Sequence, residues 1–102
     1  LLDIVPKDAK DRSILTKGAI DKMLKADPAP LMHPRNAKLI TPGNMEDDLA
    51  LLSDCDWIIE VVLEDLTVKH ATYDKIIKHR KKGSIVSSNT STIPLGHLVK
   101  GM

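Results

Sequence analysis

Aromatic side chains are scarce in this sequence. Trp57 and Tyr73 are the only two among 102 residues, and phenylalanine is absent. Proteins that bind single-stranded nucleic acid stack successive bases on several aromatic rings. Fifteen Lys and Arg residues against fourteen Asp and Glu residues leave a formal charge of +1, so no global excess of positive charge would attract a polyanion. We therefore predict no nucleic-acid partner.

Cysteine and long apolar runs are also lacking. Cys55 is the single cysteine, so it can form no internal disulfide and has no CxxC partner, which favours a reducing compartment. No apolar run reaches the roughly 18 residues of a membrane-spanning helix, and no charged-then-apolar segment of this sequence resembles a signal peptide. We predict a cytoplasmic location and no membrane partner.

The first half of the chain alternates between short apolar runs and breaks. LLDIV, closed by Pro6, predicts a strand, and apolar residues every four positions predict a helix over 11–25. Three prolines make KADPAPLMHPRN a loop. AKLITPGN predicts a short strand that ends in a turn. The spacing of Asn44 and Asp47 predicts an N-cap for a helix through MEDDLALLS.

The second half continues the same alternation. DWIIEVVL has the β-branched density of a strand buried on both faces. EDLTVKHATYDKIIKHRKKG predicts a helix that ends at Gly83, SIVSSNTS a further strand, and TIPLGHLVK a last helix around Pro94. This order predicts one α/β domain over 1–102 with a parallel sheet, whose ligands bind at the carboxyl ends of the strands.

Polar residues follow three of the predicted strands. Asp3, at the end of the first, could accept both hydroxyls of an adenosine ribose or could form a turn; no GxGxxG precedes it. Glu64, Asp65 and Lys69 follow the strongest strand and could be ligand-binding groups, or two helix caps and a solvated lysine. In SSNTS, Asn89 and Ser91 could bind a nicotinamide or a substrate oxygen, or could form a turn.

The histidines do not form a recognisable metal-binding pattern. His70 and His79 lie nine residues apart, outside the i, i+4 spacing of a helical metal pair. His33 and His97 lie in loop or last-turn contexts. We predict no metal site and four surface histidines.

Three segments together carry a resemblance to a known family: DWIIEVVLEDLTVKHATYDKI, GSIVSSNTSTI and LLDIVP. They resemble the 3-hydroxyacyl-CoA dehydrogenases of fatty-acid β-oxidation, and KADPAPL with ITPGNMEDD resembles the bacterial multidomain members. The most specific part is E-V-V-x-E-x-x-x-x-K paired with the downstream S-N-T-S. The resemblance implies a Rossmann-like NAD-binding domain. It also implies that LLDIVP is the second strand of a truncated sheet, whose first strand and glycine-rich loop are missing.

The resemblance also implies roles for individual residues. Asp3 would hold the adenosine ribose, and Lys69 would lie near the nicotinamide half and the acyl-CoA. Ser91 would hydrogen-bond the reacting oxygen of the substrate. The strand end beside the nicotinamide ribose and the following S-N-T-S complete the cofactor-binding set: Val62, Leu63, Glu64 and Asn89.

Two positions depart from the family pattern, and one region gives no match. Thr92 stands where many relatives have a second serine, and Asp65 where many have asparagine. TKGAIDKMLKADPAP gives no convincing match to the family's coenzyme A contacts. The general base of the family is a histidine in a downstream G-x-H-F-x-N-P stretch, which these 102 residues do not contain.

The sequence therefore predicts the NAD-binding part of a 3-hydroxyacyl-CoA dehydrogenase, inactive as this fragment alone. Its implied partners are an acyl-CoA substrate, the remaining dehydrogenase domains of the same protein, and a second copy in a homodimer. One alternative is a non-catalytic nucleotide-binding or structural module on the same scaffold. Another is a different NAD-linked hydroxyacid dehydrogenase.

Overall fold

The structure is a computed structural model that describes residues 1–101. The chain divides after Asp48 into two units. The first unit contains β1 (Leu2–Asp3), α1 (Ile14–Lys25), a 3₁₀ helix (Pro34–Leu39) and β2 (Gly43–Asn44). The second contains a 3₁₀ helix (Leu49–Asp54), β3 (Trp57–Glu60), α2 (Leu66–His79), β4 (Ile85–Ser88) and α3 (Leu95–Leu98).

In the first unit, β1 and β2 form a parallel pair in which Leu2 lies opposite Gly43. A Cβ atom on Gly43 would lie 2.8 Å from the Leu2 side chain and 2.9 Å from an Asp48 carboxylate oxygen, so the close approach of the strands requires glycine. Helix α1 joins this pair through a buried side chain, because the Thr16 hydroxyl donates to the Gly43 carbonyl at 2.9 Å.

Several predictions for this part of the chain are wrong in extent. The predicted helix over 11–25 begins at Ile14, and of its residues only Thr16 is buried. The strand predicted over AKLITPGN is reduced to β2, because the residues before it form a 3₁₀ helix. The buried Asn44 side chain does accept from the amides of Glu46 and Asp47, as an N-cap would. It caps a turn, however, and the predicted helix is replaced by that turn and a 3₁₀ helix over Leu49–Asp54.

In the second unit, β3 and β4 form a parallel pair joined through α2, with Trp57 opposite Ile85 and Glu60 opposite Ser88. Side chains of β3, α2 and α3 form the buried core: Ile58, Tyr73, Ile76 and Leu98, with Leu52, Cys55, Val86 and Ile93 packed against them. Cys55 is half-buried beside this core.

Strand β3 is not buried on both faces, as its composition predicts. Ile58 and Glu60 are buried, whereas Trp57 and Ile59 are 61% and 54% exposed. Successive side chains of a strand point to opposite faces, so this alternation defines one packed face and one open face. Glu60 is the charged residue on the packed face, and its surroundings form much of the site described below.

The mixture of helices and small parallel sheets confirms the predicted α/β class and fits a Rossmann-like domain. Strand β1 leads through α1 to its partner β2, and β3 leads through α2 to its partner β4. Across residues 1–101, the helices all fall short of the length and apolar content needed to cross a bilayer.

Candidate functional site

The carboxyl ends of β3 and β4 lie side by side, because the two strands are parallel and end at Glu60 and Ser88. From this edge, residues 61–65 lead into α2 and residues 89–94 lead into α3. A cavity of about 200 Å³ opens between these segments. The residues that line it are Val61, Val62, Glu64, Lys69 and Asn89.

Lys69 is buried, which excludes the alternative of a solvated lysine. Its side chain is 2% exposed and that of Glu60 is 0% exposed, and the Nζ atom lies 2.6 Å from Glu60 Oε2. Nζ also donates to the Val62 carbonyl at 3.2 Å and lies 3.3 Å from Glu64 Oε1. An ammonium group has three protons, so each of them has an acceptor here.

The Glu60 carboxylate accepts four hydrogen bonds. Oε2 accepts from Lys69 and from the Val62 amide, the latter at 2.9 Å. Oε1 accepts from the Tyr73 and Ser88 hydroxyls, each at 2.6 Å. Burial opposes ionisation of Glu60, but the hydrogen bonds from Lys69, Ser88 and Tyr73 outweigh it, so the Glu60 pKa is lowered.

The two groups bound to this carboxylate also have shifted pKa values. Burial lowers the pKa of Lys69, but its hydrogen bond and charge interaction with Glu60 outweigh that effect, so the pKa is raised overall. Burial and the hydrogen bond to Glu60 both raise the pKa of Tyr73. At neutral pH the site therefore holds a charged Glu60–Lys69 pair beside a neutral phenol.

Glu64 links the segment after β3 to the segment after β4. Its carboxylate accepts from the Ser91 amide at 2.9 Å and from the Thr90 hydroxyl at 2.8 Å, and the Ser91 hydroxyl lies 3.4 Å away. The Ser91 amide and the Thr90 hydroxyl, with a smaller contribution from Lys69, lower the Glu64 pKa to about 2. Glu64 is thus an anion that fixes the position of the S-N-T-S loop.

Replacing Glu64 by glutamine is expected to flatten the acid side of the stability profile. The folded pKa of about 2 lies below the ordinary value of a glutamate in the unfolded chain. Ionised Glu64 therefore stabilises the folded state above that ordinary value, and this contribution is lost as the pH falls toward about 2. Denaturant midpoints measured at falling pH should decline less in Glu64→Gln than in the wild type. Parallel profiles would contradict this, since the other carboxylates titrate in both proteins.

Most of the predicted site residues lie close together in the structure. Val62, Glu64, Lys69 and Asn89 line the same cavity, and Ser91 is bound to Glu64. Leu63 is not among the residues that line it and is 72% exposed.

Two acidic residues have structural partners. Asp3 lies in the first unit, where its carboxylate accepts from the next amide, that of Ile4, at 2.7 Å. Asp65 is the N-cap of α2, since its side chain accepts from the Val68 amide at 3.0 Å. A helix-cap role, one of the alternatives for the Glu64–Asp65 pair, is thus confirmed for Asp65.

Sequence reasoning did not assign roles to Glu60, Tyr73, Ser88 and Thr90. One signal could have identified Glu60, because it is the single charged residue in the run WIIEVVL. A lone acid on the packed face of a strand needs donors, and Lys69 is one of them. Within the described part of the chain, His, Cys, Asp and Glu side chains form no group of three or more that could hold a metal ion.

Comparison with known proteins gives one family. Residues 2–102 match the family model described as 3-hydroxyacyl-CoA dehydrogenase, NAD binding domain. No solved structure matches the chain significantly.

Three relatives show how far the likeness extends. A "Probable 3-hydroxyacyl-CoA dehydrogenase" of Bacillus subtilis is 48% identical over 99% of this chain and 15% of its own length. A protein of the same name in Deinococcus radiodurans is 46% identical over 99% of this chain and 29% of its own length. A provisionally named fatty acid oxidation complex trifunctional enzyme of Rickettsia felis is 45% identical over the whole chain and 14% of its own length. The chain thus spans less than a third of each relative.

Proposed function

Because this chain belongs to the 3-hydroxyacyl-CoA dehydrogenase family through its NAD-binding domain, we propose that the intact protein oxidises 3-hydroxyacyl-CoA to 3-oxoacyl-CoA in fatty-acid β-oxidation. The family match over residues 2–102 supports the proposal, as do the names of the relatives. The structural observation that carries it is the meeting of Glu64, Lys69 and Asn89 around one cavity, with Ser91 bound at its edge.

The cavity fits one end of NAD, the cofactor that accepts the hydride. Its volume of about 200 Å³ is below the roughly 300–1,000 Å³ of pockets that enclose a drug-sized ligand, so it suits the nicotinamide and its ribose rather than the whole dinucleotide. Val61 and Val62 supply apolar surface, and Glu64 and Asn89 supply polar groups for a ribose hydroxyl and a carboxamide.

We assign the residues of this chain to the two halves of the cofactor. Asp3 binds the adenosine ribose through its exposed carboxylate. The residues that bind the nicotinamide half are Val62, Leu63, Glu64, Lys69, Asn89 and Ser91.

In this proposal Ser91 orients the reacting group of the substrate. Its side chain is exposed, and its hydroxyl makes only a long contact of 3.4 Å with Glu64, whereas its amide is firmly bound at 2.9 Å. The backbone is therefore held while the hydroxyl remains free to donate to the substrate oxygen. The base that removes the hydroxyl proton would lie in the downstream stretch that the family resemblance implies.

We further propose that other parts of the intact protein complete the site. The relatives are longer multidomain proteins, and among residues 1–101 both β1 and β3 pair with a single strand. In the intact protein a first strand and a glycine-rich loop would complete the truncated sheet and bind the pyrophosphate. An acyl-CoA substrate and a homodimer belong to the same proposal. The cytoplasm is the proposed location, in keeping with the free thiol of Cys55.

The test is an assay of the purified intact protein. With a 3-hydroxyacyl-CoA and NAD we expect NADH to form, and with the matching free 3-hydroxy acid we expect far slower turnover. NAD binding without oxidation of any 3-hydroxyacyl-CoA would favour the non-catalytic nucleotide-binding module. Efficient oxidation of a free hydroxyacid would favour a different NAD-linked dehydrogenase, and failure to bind NAD would overturn the proposal.

A further inference from the structure

We propose that Glu60 is a positioning residue of this site, which holds the Lys69 ammonium against Glu64 at the edge of the cavity. This inference rests on the proposed function, because it assigns Lys69 to the nicotinamide half of NAD. Glu60 itself does not line the cavity and acts only through Lys69.

The position of the Glu60 carboxylate is tightly determined. It is fully buried at the end of β3, and its four donors come from three different parts of the unit. The Val62 amide follows the strand, Lys69 and Tyr73 belong to α2, and Ser88 ends β4. A group bound from three sides can serve as a fixed point for a flexible partner.

Lys69 is such a flexible partner. Its ammonium group ends a four-carbon chain that can adopt many conformations. Two of its three protons are directed to Glu60 and to the Val62 carbonyl, so the third is left for Glu64. Glu64 in turn binds the amide of Ser91. The charge at the cavity edge is therefore placed by Glu60, and the connection continues to the S-N-T-S loop.

Stability alone does not account for a buried ion pair at this position. Replacing such pairs by apolar residues is often neutral or stabilising, so a fold seldom needs one. This pair lies where a strand end, a helix start and a cavity meet. Its location suits a carboxylate that fixes the position of Lys69, and through Lys69 that of Glu64, at the cavity edge.

The test is a double-mutant cycle in the intact protein with wild type, Glu60→Gln, Lys69→Met and the double variant. We expect Glu60→Gln to raise the KM for NAD about tenfold, a coupling of ordinary size for residues in contact, and to change kcat less. In the Lys69→Met background the same change should alter KM less than about twofold, because the group through which Glu60 acts is gone.

The pH profile separates positioning from a general loss of structure. Lys69 faces two carboxylates, that of Glu60 on β3 and that of Glu64 in the segment after β3. The phenol of Tyr73 lies one turn along the same helix, and β4 contributes the neutral Ser88 hydroxyl next to Glu60. Without Glu60, Glu64 is the remaining carboxylate in contact with Lys69 among residues 1–101. Loss of the Glu60 charge lowers the pKa of Lys69 relative to the wild type, so Lys69 loses its proton at a lower pH. The KM for NAD should therefore begin to rise at a lower pH in Glu60→Gln than in the wild type. A purely structural defect would change KM by one factor at every pH.

Each outcome decides the inference. Asp56→Asn, which breaks the exposed pair with Lys81 in the same unit, is the control and should leave KM unchanged. A Glu60→Gln variant with a KM for NAD within twofold of wild type and an unshifted pH profile would overturn this inference and leave the proposed function intact. If Glu60→Gln does not fold, a double variant with KM tenfold above that of Lys69→Met would overturn it, and an equal KM would support it. A wild type that binds no NAD would overturn the proposed function as well.

Discussion

Replacing Lys69 by alanine is expected to lower the free energy of unfolding of the second unit by about 3–5 kcal/mol, the usual cost of removing one partner of a buried ion pair. The substitution leaves the Glu60 carboxylate buried without a counter-ion and the Val62 carbonyl without one of its donors. Hydrogen exchange of the α2 amides in the intact protein would measure the loss. Lys69→Ala is also expected to bind NAD more weakly, and this affinity must be measured under conditions in which the variant is folded.

Lys81→Ala is the matched control for this prediction. It removes a lysine of the same unit whose carboxylate partner, Asp56, is almost fully exposed. Exposed pairs contribute little to folding, so α2 exchange should hardly change. If Lys69→Ala is as harmless as Lys81→Ala, the loss of the Lys69 ammonium does not destabilise the unit and the prediction is wrong.

The burial of Lys69 shows why sequence reasoning succeeds for elements more readily than for their environments. Helix α2 is predictable because its signals are local, and Asp65 does cap its first turn. The predicted end at Gly83 is wrong, because the helix ends at His79 and Arg80 after it is already extended. Strands β3 and β4 are predictable from dense β-branched runs. The position of Lys69 one turn into α2 is also local information. Its burial depends on Glu60, nine residues earlier, pointing inward from β3.

The errors in the first unit have the same origin. AKLITPGN has apolar residues at strand-like spacing, but the chain pairs with β1 only at Gly43 and Asn44. There the close contact of Gly43 with Leu2 and the buried side chain of Asn44 fix the geometry. Neither contact can be read from local propensity, because each depends on a segment about 30 to 40 residues away.

The candidate site was predicted as separate positions rather than as a network. Parallel strands bring their carboxyl ends together, which is sufficient to expect Glu64, Asn89 and Ser91 near one another. The carboxylate of Glu64 bridging to the Ser91 amide is a further fact that the spacing does not contain. The roles of these residues toward NAD and substrate remain predictions, and Ser91 provides their most direct test.

Ser91→Ala in the intact protein is expected to lower kcat about 10–1000-fold, the scale on which one positioned hydrogen-bond donor contributes to a transition state. The thermal stability should stay close to wild type, because the Glu64 carboxylate binds the Ser91 amide, which alanine retains. Thr92→Ala, which removes the next hydroxyl along the chain, is the control and should keep most of the turnover. Steady-state kinetics with a 3-hydroxyacyl-CoA, together with a melting curve for each variant, would decide the matter. Full turnover combined with a lower melting temperature would show that the Ser91 hydroxyl stabilises the turn after β4 and has no part in binding the substrate oxygen.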